Sequence, residues 1–146
     1  MADIHIDDFF KDAAGALTRL YLQLPRPVQL FVEDLTGPQE IDEFGLPNKR
    51  HMACFSTLLW LGEEEFIRYT DTLRQDALDQ ATLTGRCFTA LISPASGTIV
   101  DQNAELPTYL QLEQGTQIHR IREALKNRSS VAIRAAMVEL LRILKS

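Results

Sequence analysis

Residues 58–69 read LLWLGEEEFIRY, and the parsing of that stretch decides the fold. Leu58, Leu59 and Trp60 end a helix-period pattern, whereas Phe66, Ile67 and Tyr69 are the β-branched and aromatic types that suit a strand. Between them stand Glu63, Glu64 and Glu65. Acids at a helix C-terminus oppose its dipole by about 0.3–1 kcal/mol each. The triplet therefore helps the helix stop and keeps its end in water. A helix-to-strand junction is predicted here.

Downstream, FIRYTDTL (66–73) faces ALDQATL (77–83) across the polar turn Arg74-Gln75-Asp76, which predicts a β-hairpin. Thr84 can cap a helix over 85–93. Upstream, NKRHMACFSTLLWLGEEE (48–65) predicts a helix with Asn48 as N-cap. Its core side carries Met52, Phe55, Leu58 and Leu59, with His51 turned the same way. Lys49, Arg50, Ala53, Ser56 and Thr57 spread over the other side. A short helical piece is expected over 38–47 and a strand over 28–35. Phe9, Phe10, Ala13, Leu17, Leu20 and Tyr21 mark a helix over 7–23, ended by Leu24-Pro25-Arg26-Pro27.

The tail is helical. Ile118, Ile121 and Leu125 form a stripe over 116–127, and Ser129 or Ser130 caps a last helix. In that helix Val131, Ala135, Val138, Leu141 and Ile143 give a broad apolar surface, to which Leu140 and Leu144 add. These helices either pack back on helix 7–23 or pair with a second chain, so a homodimer through the C-terminal helices is expected.

The chain of 146 residues, 45% hydrophobic and 24% charged, fits one globular domain with an extension. No apolar run approaches the ~20 residues of a membrane span. The start MADIHIDDFF has early acids and no apolar leader, so a cytoplasmic location is expected. Cys54 and Cys87 sit among apolar neighbours and read as buried thiols. Charge is uneven: residues 1–46 hold three basic and nine acidic side chains, and residues 106–146 hold seven and three. A basic binding surface at the tail, or electrostatic packing of one end on the other or on a second copy, are both compatible with that split.

STLLWLGEEEFIRY (56–69) resembles the helix, Trp-Leu, acidic pair, Phe-Ile junction that joins recognition helix to wing in winged helix-turn-helix domains. LTGRCFTAL (83–91) is similar to the Leu-Thr-x-x-Gly-x-x-x-Leu lead-in to the following helix in MarR-like and PadR-like regulators. It departs from that pattern in having Cys87 where those have glycine, the nearby glycine being Gly85. The resemblance covers roughly residues 7–93. The tail at 112–144 is similar to that of a group of uncharacterised bacterial winged-helix proteins. The implied fold is mainly α with a small antiparallel β-wing: a winged helix-turn-helix over 1–93, a linker over 94–115 and a helical hairpin over 116–146.

What the resemblance implies is a transcription-regulatory reader of duplex DNA, with helix 48–62 in the major groove. Asn48 is then placed to read adenine, Lys49 and Arg50 to meet phosphate or guanine, Ser56 and Thr57 to touch the backbone, and Arg68 and Arg74 to serve as wing contacts. Charge argues the other way. Five cations stand against six acids between Pro47 and Arg86, whereas phosphate binding calls for a cation excess. The alternative is a protein–protein adaptor that keeps the fold without binding DNA. Trp60 falls on the outward side, where the hairpin covers it or it anchors a partner. Arg120, Arg122, Arg128 and Arg134 lie on outer faces of the tail, either solvated or binding nucleic acid. No enzyme activity, cofactor or metal is expected: His5, His51 and His119 are scattered, and His51 and Cys54 lack a partnering ligand motif.

Overall fold

Acids at its start and an unbroken small, apolar run from Ala13 to Leu17 make the first element a long helix. In the structure, a computed structural model describing residues 4–38, 48–97, 101 and 103–145, this is α1 (Ile4–Gln23), burying Phe10, Asp12, Ala13, Ala14, Ala16, Leu17 and Leu20. The expected helical piece over 38–47 falls on residues 39–47, outside the described ones. Among the described residues no helix is long and apolar enough to cross a membrane.

The chain divides into two compact units, Met1–Thr84 and Gly85–Ser146. In the first, α1 is followed by β1 (Val28–Phe31), α2 (Val32–Thr36), α3 (Lys49–Glu63), β2 (Ile67–Arg68), β3 (Asp71–Leu73) and β4 (Ala77–Leu83). The strand expected over 28–35 stops at Phe31. Val32 donates its N–H to Asp76 O at 2.9 Å, and Glu33 and Asp34, poor in strands, occupy the first turn of α2. The sheet is antiparallel with β4 in the middle, β1 on one side and β2 and β3 on the other. The predicted hairpin is present, interrupted at residues 69 and 70. Between Val28↔Ala81 and Leu30↔Leu78 β4 holds one extra residue, a bulge where Gln80 adopts φ +54°.

Asn48 caps α3 as expected, its Oδ1 accepting the His51 N–H at 2.7 Å. The core face of α3 is His51, Cys54, Phe55, Thr57, Leu58 and Leu61. Met52 and Leu59, expected in the core, are half-buried at its margins. The junction at 58–69 has a defined chemistry. Glu65 N–H bonds Gly62 O at 3.1 Å and Phe66 N–H bonds Leu61 O at 2.9 Å, the paired bonds of a Schellman motif. Its left-handed position belongs to Glu65, at φ +64°, instead of glycine. The accompanying apolar contact is Trp60 on Phe66, edge to face at 5.5 Å. A Cβ on Gly62 would stand 2.7 Å from the Tyr69 ring, which closes over the helix end.

The second unit holds α4 (Gly85–Ile92), α5 (Thr108–Gln114), α6 (Gln117–Lys126) and α7 (Ser130–Lys145). Helix α4, expected to close the first domain, packs on α6 and α7 instead. The segment expected as a linker, 94–115, contains α5, and its ends are tied together: Ala95 N–H bonds Gly115 O at 2.7 Å and Gln117 N–H bonds Ser93 O at 2.9 Å. Thr116 caps α6 through His119 N–H. A second Schellman pair ends α6, with Arg128 at φ +54°. The next residue, Ser129, caps α7 by accepting the Ala132 N–H at 3.1 Å. Helix α7 buries Ile133, Ala136, Met137, Leu140 and Leu144. Of the apolar surface expected either to pack back or to pair with a second chain, Leu140 and Leu144 are buried here. Val131, Ala135, Val138, Leu141 and Ile143 are turned outward or to the margin, with Val131 81% exposed.

Glu139 organises one side of this unit. It accepts from the Ser96 N–H at 3.0 Å and the Ser96 hydroxyl, and pairs with Arg120. Burial alone would raise its carboxyl; the bonds from Ser96 and Gln117 and the Arg120 charge outweigh it and hold the group below its ordinary 4.5. A lowered folded pKa means that this stabilisation is complete above about pH 4.5 and is lost as pH falls through the folded value. Glu139→Gln should therefore weaken protection of α6 and α7 amides in hydrogen exchange at neutral pH and flatten their acid dependence below pH 4.5. At the other junction, Glu65→Gly should raise unfolding free energy by about 0.5–1 kcal/mol in urea followed by Trp60 emission, because relief of left-handed strain exceeds the added freedom of the unfolded chain. Glu65→Val should lower it.

Candidate interaction surface

Helix α3 lies between the core and the outside, and the bonds made by each side chain determine which residues it presents. Asn48 spends its carbonyl on the helix cap. Arg50 reaches inward: Nη1 and Nη2 bond Asp12 Oδ2 at 2.5 Å and Oδ1 at 2.6 Å, and Nε lies 3.8 Å from Asp8. Asp12 is buried with its side chain 1% exposed, so this is a two-pronged pair to a carboxylate removed from water. The Asp12 hydrogen bond holds the guanidinium above its ordinary pKa despite its partial burial. Thr57 is buried and donates its hydroxyl to Ala53 O at 3.0 Å. Arg50 and Thr57, expected to meet DNA, are thus both engaged within the unit.

His51 faces the core, as expected. Its Nε2 lies 2.7 Å from Gln75 O and 3.3 Å from Asp76 Oδ1, tying the hairpin turn to the start of α3. Burial raises the Cys54 thiol to about 12, with the Asp12 charge adding to it, and burial takes Cys87 to about 12 against the opposing Arg86 charge. Both cysteines are buried thiols and poor nucleophiles at neutral pH. Among the described residues no group of three or more His, Cys, Asp or Glu side chains could hold a metal ion.

The outward face of α3 is Lys49, Ala53, Ser56, Trp60 and Glu63, all exposed except the half-buried Trp60. These positions recur at 0, 4, 7, 11 and 14 along the helix. Trp60 is clasped by Phe9 of α1 at 5.1 Å and by Phe66 at 5.5 Å, both edge to face. It is thus held rigid while part of its ring stays accessible. Covering by the hairpin, foreseen for Trp60, is seen in the Phe66 ring, and Phe9 of α1 supplies a second ring. Arg68 and Arg74 are exposed on the hairpin, Arg74 at φ +55° in the turn. The hairpin also exposes Asp71, and the preceding helix end exposes Glu63, Glu64 and Glu65.

Sequence reasoning passed over Asp12, and it assigned Phe9 to the stripe of helix 7–23 and Glu63 to a helix end without bringing either to this surface. One signal was present: an acid inside an apolar helix run, next to Ala13 and Ala14, needs a partner. Compared with protein families, with curated proteins and with solved structures, the chain matches none.

Removing Arg50 alone strands a buried carboxylate. Arg50→Met should lower stability by about 3 kcal/mol in urea, the low end for a broken buried pair because water reaches the guanidinium. The double variant Asp12→Leu/Arg50→Met should recover most of that loss.

Proposed function

We propose that the first unit is a winged helix whose outward α3 face docks a protein partner rather than duplex DNA. The winged-helix reading is supported by the order α1, β1, α2, α3, β2–β3, β4 and by a sheet with its last strand in the middle. In such a fold α3 is the presenting helix and the hairpin is the wing.

The composition of the presenting face carries the choice between DNA and protein. Between Lys49 and Glu63 it offers one cation, two small side chains, a rigid tryptophan and an acid. The second cation of the helix, Arg50, is bonded to Asp12 and Asp8. A phosphate-binding helix needs cations ringing its outward side. Small residues beside a fixed aromatic ring instead let another backbone come close and supply an anchor of the kind enriched at interface hot spots. The adjoining Glu63, Glu64 and Glu65 repel phosphate and favour a partner with basic side chains.

Site-specific photocrosslinking in cells tests this reading. A photoreactive residue in place of Ser56 should give protein adducts of discrete mass, and one in place of the exposed Gln29 on β1 should not. Nuclease-sensitive adducts at Ser56, or duplex DNA binding at low salt that is lost in Lys49→Glu, would overturn it.

A further inference from the structure

The outward face of α7 repeats the spacing of the outward face of α3. Val131, Ala135, Val138, Arg142 and Lys145 stand at 0, 4, 7, 11 and 14, exposed except for the half-buried Val138. On either helix those five positions fall within an arc of about 80° and span about 21 Å. A repeat of 4, 3, 4, 3 averages 3.5 residues, the period at which two helices keep one seam in register.

Aligned in parallel, the two stripes are complementary at every step. Lys49 meets Val131, over which its stem can lie with the ammonium in water. Ala53 meets Ala135 and Ser56 meets Val138, small side chains that permit close approach. Trp60 meets Arg142, whose apolar stem and guanidinium can pack on the part of the ring left accessible between Phe9 and Phe66. Glu63 meets Lys145, an ion pair. Pairing α7 with a second α7 supplies neither the ring nor the acid, and in parallel it sets Arg142 against Arg142. The wider charge has the same polarity. The unit Met1–Thr84 carries seven basic and fifteen acidic side chains, whereas Gly85–Ser146 carries eight and five.

We infer that the partner of the α3 face is a second copy of this chain, docking the outward stripe of its α7 in parallel register with Trp60 on Arg142 and Glu63 on Lys145. This rests on the protein-docking reading of α3 above. A single helix pair buries little area, so association is weak and concentration-dependent, and salt weakens it because its charged contacts lie at the rim.

The test is sedimentation of the full chain from micromolar to submillimolar concentration at low and high salt, with emission of Trp60, the single tryptophan, read in parallel. The mass should rise above 16.5 kDa with concentration at low salt, with a matching change in Trp60 emission, and return towards 16.5 kDa at high salt. Glu63→Lys and Lys145→Glu should each weaken association several-fold at unchanged helical circular dichroism, and the two together should restore it. Arg142→Glu should remove the Trp60 signal. A mass of 16.5 kDa under all conditions overturns the inference, as does association indifferent to Glu63→Lys and Arg142→Glu. If Ser56 crosslinks only to other proteins, the self-partner falls and the docking reading stands. If it crosslinks to none, both fall.

Discussion

The pairing of Asp12 with Arg50 governs how the first unit is built and what it shows to its surroundings. Asp12 stands among Ala13, Ala14 and Ala16, small side chains that let α3 come close and leave the carboxylate no water. A charge so placed is tolerated only with an opposite charge in bonding geometry. Arg50, in the first turn of α3, supplies it with both terminal nitrogens. Such a pair adds little net stability compared with an apolar replacement, but it penalises any other register of α1 on α3. It also takes from α3 a cation that a linear reading assigns to the surface. One contact thus specifies the packing and leaves Lys49 as the one outward cation of α3.

From that helix the chain must turn sharply into the sheet. The turn at 61–66 does so with a left-handed Glu65 where glycine is the usual occupant, and the turn at 124–129 repeats the device with Arg128. Both positions carry strain of about 1–2 kcal/mol, offset by two satisfied helix carbonyls each. In the first case the reward includes Phe66, delivered onto Trp60 from one side while Phe9 closes the other. In the second, Ser129 passes directly into its capping role for α7. A charged residue in place of glycine keeps these tight turns wet and stiff.

Much of this was legible in sequence because it is local. The helix over 7–23, the Asn48 cap, the hairpin across residues 74–76 and both tail helices depend on near neighbours, and the structure places them as expected. The phase of the buried faces was less legible. On α3 the burial of His51 and Cys54 was expected, but Thr57, placed on the outer side, is buried too, while the more apolar Met52 and Leu59 sit at the margin. The polar side chains each find a local or tertiary bond, so hydrophobicity alone misjudges the face by about one residue in a helix of 100° steps. In α7 the buried stripe is Ile133, Ala136, Met137, Leu140 and Leu144, of which sequence singles out only Leu140 and Leu144. The outward Val131 and Ala135 belong to the apolar surface expected either to pack back or to pair with a second chain. The Asp12–Arg50 bond spans 38 residues, a separation at which periodicity carries no information.

The outward faces of α3 and α7 differ from an ordinary solvated helix face. The outward face of α6 shows the ordinary case, with Arg122, Glu123 and Lys126 exposed together. Helix α3 instead exposes Ala53 and Ser56 beside a braced tryptophan, and α7 exposes Val131, at 81%, and Ala135 ahead of Arg142 and Lys145. Alanine and valine on an exposed face gain nothing from water, and each helix already has a separate buried stripe for its core. A single exposed apolar residue is unremarkable. Two five-residue stripes of equal spacing, one ending in Trp-Glu and the other in Arg-Lys order, form a pattern that solvation alone does not require and that a helix–helix contact would use.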